Sequence, residues 1–195
     1  MPRPVVPDSE PEVSAEEGIE RFTAAAEAVA GRLERRAAQT SGPAAEVLAT
    51  TAALARDRGL AGLVSSQLGS GKRLAASTVA AVDQLSEMFR SAGGLMAERV
   101  SDLHDIRDRV VAELTGQPEP GIPMPQIPSV LCADDLAPAD TAGLDPAVIA
   151  AIATSLGGVT SHTTIIARQL GIPCVVGCEG LDDVEIGRAS CRERV

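Results

Sequence analysis

A segment with five prolines divides the 195-residue chain into two parts with different hydrophobic patterns. Proline lacks the main-chain N–H and its ring clashes with the preceding turn, so these residues exclude a continuous helix across the segment. They are Pro118, Pro120, Pro123, Pro125 and Pro128. Before the segment, apolar residues recur at helical spacing, and after it they form short runs of strand length. The sequence therefore predicts a helical part, a linker over residues 116–127 and a separate part that mixes helices and strands.

The helical part is predicted to cover residues 14–115. Ser14 and Glu17 have the spacing of a capping box, and apolar residues follow at intervals of three and four from Ile19 to Leu33. Further helices are predicted over residues 43 to about 58, 60–68, about 72–90 and 95–114. The inward face of the last helix is predicted to include Met96, Val100, Leu103, Ile106, Val110 and Leu114. The connections are short, which favours a bundle of four or five helices.

The part after the linker, residues 128–186, is predicted to be a small α/β domain. Short apolar runs cover 129–133 and 148–153, a helix is predicted over 163–170, and 173–177 is strand-like. The alanine-rich run 148–153 fits a helix or a strand. Residues 187–195 contain three arginines and no strand pattern, and we expect them to be a non-native tail.

Composition excludes several classes of function. The net charge is −10 and aromatic residues make up 1% of the chain, which argues against nucleic-acid binding because phosphates require basic clusters and single strands require stacking rings. No apolar run approaches the roughly 20 residues of a membrane span, and the first residues do not form a signal peptide. The four cysteines form no CxxC pair or metal set, as expected of free thiols in a reducing cytoplasm. A cytoplasmic protein without a metal site is predicted.

The residues that best indicate chemistry lie between Gly157 and Arg168. Gly157 and Gly158 allow a tight turn, and a hydroxyl-rich stretch then places His162 at the start of a helix. Free N–H groups and the helix dipole favour a phosphate at such a position. A neutral imidazole there could attack phosphorus and carry the phosphoryl group. The same residues also fit an ordinary capped helix with an incidental surface histidine.

The segment 157–177, GGVTSHTTIIARQLGIPCVVG, resembles the phosphohistidine signature of the phosphoenolpyruvate-utilising enzymes over its whole length. The resemblance implies that His162 is phosphorylated on the ring nitrogen farther from the chain. Thr160, Ser161 and Thr163 are then candidates for binding or orienting the phosphoryl group. Arg168 is a further candidate ligand for a phosphoryl group or a carboxylate. An arginine at this position fits a surface ion pair with an acidic residue equally well.

The order of the two parts resembles the Enzyme I branch of this family. The resemblance implies an α+β fold in which a helical subdomain that binds the carrier protein HPr is inserted into a small swivelling phosphohistidine domain. Residues 98–106 resemble the last helix of that subdomain. Residues 133–141 resemble the stretch whose threonine approaches the phosphorylated histidine, so Thr141 is expected to be a partner of His162.

The implied activity is phosphoryl transfer from phosphoenolpyruvate to a histidine of HPr through His162, the first step of sugar uptake. Phosphoenolpyruvate and Mg²⁺ would bind to a C-terminal domain outside this sequence, and the full-length enzyme is expected to be a homodimer. We expect a chain truncated at both ends, with residues 1–13 as a linker or the truncated start of the α/β domain, and without activity on phosphoenolpyruvate by itself. The alternatives are a phosphohistidine domain of the pyruvate phosphate dikinase or phosphoenolpyruvate synthase type, and an inactive docking module for a carrier protein.

Overall fold

The computed structural model describes residues 4–7, 9–122, 125–141 and 143–181, and it divides the chain into two compact units. The first unit comprises Met1–Pro123 with Ala137–Gly143, and the second comprises Met124–Leu136 with Leu144–Val195. The segment 137–143, which the sequence groups with the α/β part, is thus clustered with the helices. The predicted non-native tail, residues 187–195, lies outside the described residues.

The described part of the first unit is helical. Its elements are α1 (Ala15–Ala38), α2 (Pro43–Ala55), α3 (Arg58–Gly69), α4 (Leu74–Ala92), α5 (Gly94–Glu98), α6 (Val100–Thr115) and α7 (Pro138–Thr141). Five of these helices have 12 or more residues, which confirms the predicted bundle. Small and branched aliphatic side chains fill the core, because the chain has no tryptophan and no tyrosine.

Helix α1 forms as its sequence predicts. The Ser14 hydroxyl accepts a hydrogen bond from the Glu17 N–H at 3.1 Å and so caps the first turn. Phe22, Val29 and Leu33 are buried on one face. Acidic residues lie in the first turn and basic residues in the last, the arrangement that the helix dipole favours.

Two predicted helix boundaries were wrong. The helix that was expected to continue to about residue 58 ends at Ala55, because the Asp57 carboxylate accepts a hydrogen bond from the Leu60 N–H at 2.9 Å and starts α3 there. The single helix expected over 95–114 is interrupted at Arg99, which separates α5 from α6. Met96, expected on the inward face, is consequently 40% exposed.

The chain before α1 is attached to the first unit at two points. The amide side chain of Gln117 pairs with the main chain of Val5 through two hydrogen bonds of 3.0 and 2.7 Å. The Glu10 carboxylate accepts hydrogen bonds from the Ala75 N–H, at 3.0 and 3.1 Å, where Arg73 supplies no side-chain cap to α4. A carboxylate at this position satisfies an unpaired donor of the first turn and complements the helix dipole.

The second unit contains a parallel sheet and one helix. The strands β1 (Ser129–Ala133), β2 (Ile149–Thr154) and β3 (Cys174–Val175) lie in the order β1-β2-β3, and α8 (His162–Leu170) connects β2 to β3. The ambiguous run 148–153 is therefore mostly strand. Ile152 and Ile166 are fully buried and form part of the core. A helical part followed by a small α/β part confirms the predicted fold class, and none of the described helices is long and apolar enough to cross a membrane.

Candidate functional site

The site is centred on the first turn of α8, which begins at His162. Ser161 precedes it in extended conformation and is the N-cap: its hydroxyl accepts a hydrogen bond from the Thr164 N–H at 3.4 Å and lies 3.2 Å from the Thr164 hydroxyl. This geometry leaves the main-chain N–H groups of His162 and Thr163 without carbonyl partners inside the helix. An anion placed at this turn would meet those donors and the positive end of the helix dipole.

The loop before α8 is held by its own main chain. The Gly158 carbonyl accepts hydrogen bonds from the Ser161 N–H at 2.9 Å and from the Thr164 hydroxyl at 3.1 Å. Gly157 has a φ of 90°, a conformation that a residue with a side chain rarely adopts. Gly157 therefore permits the sharp turn that the sequence predicted, and the turn directs the chain into α8.

The same loop is bonded to the carboxyl end of β1. The Ser155 N–H donates to the Ala133 carbonyl at 3.1 Å, and the Leu156 N–H donates to the Asp134 carbonyl at 2.8 Å. The Ser155 hydroxyl also donates to the Asp134 carboxylate at 2.9 Å. In open parallel sheets, ligands commonly bind beyond the carboxyl ends of the strands, and the chain that carries His162 emerges at that edge.

The predicted site residues of α8 differ in exposure. His162, Thr160 and Arg168 are exposed, and Ser161 is half-buried. Thr163 is only 2% exposed, and its hydroxyl donates to the Leu136 carbonyl at 3.4 Å, so this side chain is directed into the unit. Arg168 lies in the last turn, about 9 Å along the helix axis from His162 at 1.5 Å per residue.

Thr141 belongs to the first unit, unlike the other predicted site residues. It ends α7, is fully buried, and donates from its hydroxyl to the Ala137 carbonyl at 3.1 Å. Its N–H donates to the same carbonyl, also at 3.1 Å. The residue is therefore fixed within a short turn of the helical unit.

A buried arginine cluster next to Thr141 was missed in the sequence. Arg109 of α6 is 1% exposed, and its guanidinium contacts three carboxylates, those of Asp105, Glu119 and Asp140. Two signals could have indicated it: Asp105 and Arg109 have the i, i+4 spacing of an ion pair, and Arg109 adjoins the apolar stripe of α6. Only the fold brings Asp140, 31 residues away, into the cluster.

Burial shifts the pKa values of this cluster. It raises the pKa of Asp105 to about 6, although the Arg109 guanidinium acts in the opposite direction, and it also raises the pKa of Asp140. Burial lowers the pKa of Arg109, but the facing carboxylates outweigh that effect and the net shift is upward. Arg109 thus stays charged, whereas Asp105, with a pKa of about 6, changes its charge around that pH.

The cysteines and other metal-ligand residues form no metal centre among the described residues. Cys132 is exposed, and Cys174 and Cys178 are half-buried free thiols. Burial raises the pKa of the Cys174 thiol, partly offset by a hydrogen bond with the Thr164 side chain. The described residues therefore do not fit a magnesium site.

Two family models match the chain. The N-terminal model of the phosphoenolpyruvate-utilising enzymes matches residues 2–99, and the mobile-domain model of the same enzymes matches residues 125–189. The chain belongs to the phosphoenolpyruvate-utilising enzyme family. It corresponds to the Enzyme I N-terminal region within that family, which confirms the resemblance carried by residues 157–177.

Curated relatives of this Enzyme I region are phosphoryl-transfer proteins. The phosphoenolpyruvate-protein phosphotransferase of Streptomyces coelicolor is 40% identical over 91% of the chain, which spans 32% of that protein. The phosphotransferase of Haloferax volcanii is 44% identical over 52% of the chain and is matched over 18% of its own length. A multiphosphoryl transfer protein of Rhodobacter capsulatus is 47% identical over 43% of the chain, matched over 10% of its length.

Solved structures of Enzyme I share the fold of this region. A solution structure of an Enzyme I protein matches 91% of this chain and 75% of its own, with a TM-score of 0.66 and 29% identity. The N-terminal domain of a nitrogen Enzyme I matches 86% of this chain and 70% of its own, with a TM-score of 0.58 and 22% identity. The second likeness shows the fold alone.

Proposed function

We propose that His162 carries a phosphoryl group between phosphoenolpyruvate and a histidine of HPr, as in the phosphotransferase system of sugar uptake. The observation that carries the proposal is an exposed histidine at the first position of a capped helix, next to unpaired main-chain N–H groups. The relatives named phosphoenolpyruvate-protein phosphotransferase support this reaction over other phosphoryl transfers. The proposed location is the cytoplasm, and the proposed full-length form is a homodimer.

The chemistry requires a neutral imidazole and a stabilised phosphoryl group. The lone pair of the His162 ring nitrogen farther from the chain attacks phosphorus, the new P–N bond forms, and the bond from phosphorus to the donor oxygen or nitrogen breaks. With phosphoenolpyruvate as donor, the leaving enolate takes a proton and becomes pyruvate. The α8 dipole and its free N–H groups stabilise the charge on the transferred group.

The neighbouring hydroxyl residues have distinct proposed roles. Ser161 orients His162 by capping α8, and the exposed Thr160 hydroxyl donates to a phosphoryl oxygen. Thr163 contributes through its main-chain N–H, since its hydroxyl is bonded to Leu136. Thr141 of α7 is proposed to turn its hydroxyl from the Ala137 carbonyl, its acceptor in this structure, to the phosphoryl group. Arg168 binds a carboxylate or phosphoryl group on a docked partner. HPr is proposed to dock on the helical unit.

The test uses the two histidines of the chain, His104 and His162, as matched positions. The purified chain is incubated with ³²P-labelled phospho-HPr, and the product is tested for acid-labile, base-stable phosphate. We expect the wild-type chain and His104→Ala to be labelled equally, and His162→Ala to remain unlabelled. His104 is a suitable control because it is the other histidine of the chain and lies half-buried within α6, away from any helix start.

Other outcomes point to the alternative functions. If His162 is labelled in the presence of ATP but not by phospho-HPr, the dikinase or synthase type would be favoured. Tight HPr binding by calorimetry without any labelling would favour an inactive docking module. Equal labelling of wild type and His162→Ala would contradict the proposal directly.

A further inference from the structure

Helix α7 is too short to be stable by its own hydrogen bonds. It has four residues, and helix nucleation is unfavourable for segments of this length. Within its turn, the N–H groups of Asp140 and Thr141 both donate to the Ala137 carbonyl, at 3.0 and 3.1 Å. The rest of its stability must come from residues distant in sequence.

Two arginines supply those distant contacts. Arg109 of α6 donates from Nη2 to Asp140 Oδ1 at 2.8 Å, and Arg36 of α1 donates from Nη2 to the Ala139 carbonyl at 2.6 Å. Gly143, just after the helix, leaves room for the Arg36 guanidinium, because a Cβ at this position would collide with Arg36 Nη2. Helix α7 is thus attached to two helices of the first unit by directed, charge-assisted bonds.

The Arg109 contact is specific in geometry as well as in charge. The same guanidinium donates from Nε to Asp105 at 2.9 Å and from Nη1 to Glu119 at 2.5 Å, so all three of its nitrogens are engaged. Arg109, Asp105 and Asp140 are each less than a tenth exposed. A buried ion network contributes little net stability compared with apolar packing, but it selects one arrangement of the groups it joins.

We propose that Arg109 is a positioning residue for phosphoryl transfer: it fixes Asp140 and thereby fixes the main-chain position of the adjoining Thr141. The inference rests on the proposed function, in which Thr141 donates to the phosphoryl group on His162. Lysine cannot replace Arg109, because a single ammonium group cannot reproduce three directed contacts.

A double-mutant cycle tests whether Arg109 acts through Thr141. The single-turnover rate of phosphoryl transfer from phospho-HPr is measured for wild type, Arg109→Lys, Thr141→Ala and the double variant. We expect each single variant to be slower by about 10-fold or more, as small misplacements at reacting centres commonly cause. If Arg109 works through Thr141, the double variant stays within about 2-fold of Thr141→Ala.

Amide hydrogen exchange supplies a readout that does not depend on activity. The Thr141 N–H, bonded to Ala137, is expected to exchange faster in Arg109→Lys and in Asp140→Asn, while core amides of α1 and the HPr dissociation constant stay unchanged. Arg56→Lys is the matched control, because Arg56 also bonds two carboxylates, Glu27 and Glu34, but none on α7. If Arg109→Lys does not fold, the isosteric Asp140→Asn decides the question.

The outcomes separate this inference from the proposed function. An unlabelled wild-type chain overturns the proposed function, and this inference with it. A labelled wild type overturns the inference alone if the losses of Arg109→Lys and Thr141→Ala multiply in the double variant. The inference is also overturned if the exchange rate of the Thr141 N–H is unchanged in both Arg109→Lys and Asp140→Asn.

Discussion

At the residue scale, Ser161 determines how His162 is presented. Its hydroxyl occupies the N-cap and accepts from the Thr164 N–H, while its own N–H donates to Gly158. These bonds fix both the loop before His162 and the first turn after it. The imidazole is therefore exposed on a backbone that is already ordered.

Replacing Ser161 by alanine is expected to lower the stability of α8. The change removes the N-cap acceptor, which costs about 1 kcal/mol in comparable helices. The neighbouring Thr160→Ala is the control, because Thr160 is exposed, and we expect a change of at most about 0.5 kcal/mol. Urea unfolding followed through the amide signals of α8 measures both; equal effects would contradict the assigned cap.

At the scale of elements, α8 is amphipathic, and its two adjacent isoleucines lie on different faces. Ile166 is fully buried, whereas Ile165 is 42% exposed. Because successive helical residues point about 100° apart, two adjacent residues of the same type can contribute very different amounts to the stability of the fold. The buried face of α8 includes Thr163, Ile166 and Ala167, whereas His162 at the helix start is exposed.

The two isoleucines give a matched pair of substitutions. Ile166→Ala is expected to destabilise the α/β unit by about 2–5 kcal/mol, the range for large-to-small changes in a core. Ile165→Ala deletes the same atoms from a partly exposed site, and we expect a loss of less than about 1 kcal/mol. Chemical denaturation with an α8 amide probe distinguishes them, and similar losses would show that the helix face is misassigned.

At the scale of the whole molecule, charge links distant parts of the helical unit. Arg109 joins α6, the segment with Glu119, and α7 through one guanidinium. Arg32 of α1 extends this network to Glu113 and Glu119, at 2.9 and 2.7 Å. The stability of the unit therefore depends on the protonation of a buried group, Asp105.

Stability is expected to fall as the pH rises through the titration of Asp105. In the folded chain Asp105 has a pKa of about 6, whereas in the unfolded chain its pKa is near 3.8. The protonated carboxyl therefore adds its full contribution to the free energy of unfolding below pH 3.8, and this contribution is lost as the pH rises above 6. Asp105→Asn does not titrate. From pH 4 to 7, wild type is expected to lose up to about 3 kcal/mol relative to the variant, at about 1.4 kcal/mol per pKa unit.

Urea denaturation of both proteins at several pH values measures this difference. Surface pairs such as Arg56 with Glu27, where the pKa of the glutamate is lowered, have the opposite pH dependence but are common to both proteins. They therefore cancel in the comparison. A difference in stability that is constant between pH 4 and 7 would show that Asp105 does not titrate in this range.

Features determined by neighbouring residues could be predicted from the sequence. The cap at Ser14, the periodicity of α1 and the glycine turn before His162 all depend on residues within a few positions of each other. Local patterns misplaced the boundary between α2 and α3. The helical spacing of apolar residues continues up to Asp57, and only the structure shows that this aspartate caps the start of α3. They also left the alanine-rich 148–153 ambiguous, since only pairing with β1 and β3 makes residues 149–154 a strand.

The sequence by itself determined the two-part organisation, the helices of the first unit and the motif that contains His162, because periodicity, capping and turn residues act over short distances. Only the tertiary structure decided that the Thr163 hydroxyl is directed inward, that α7 is a helix of the first unit, and that Arg109 is buried with Asp140. The spacing of Asp105 and Arg109 on α6 indicates an ion pair, but it does not show what else surrounds the guanidinium. Its environment is set by segments that meet it only after folding, here residues 10 and 31 positions away along the chain.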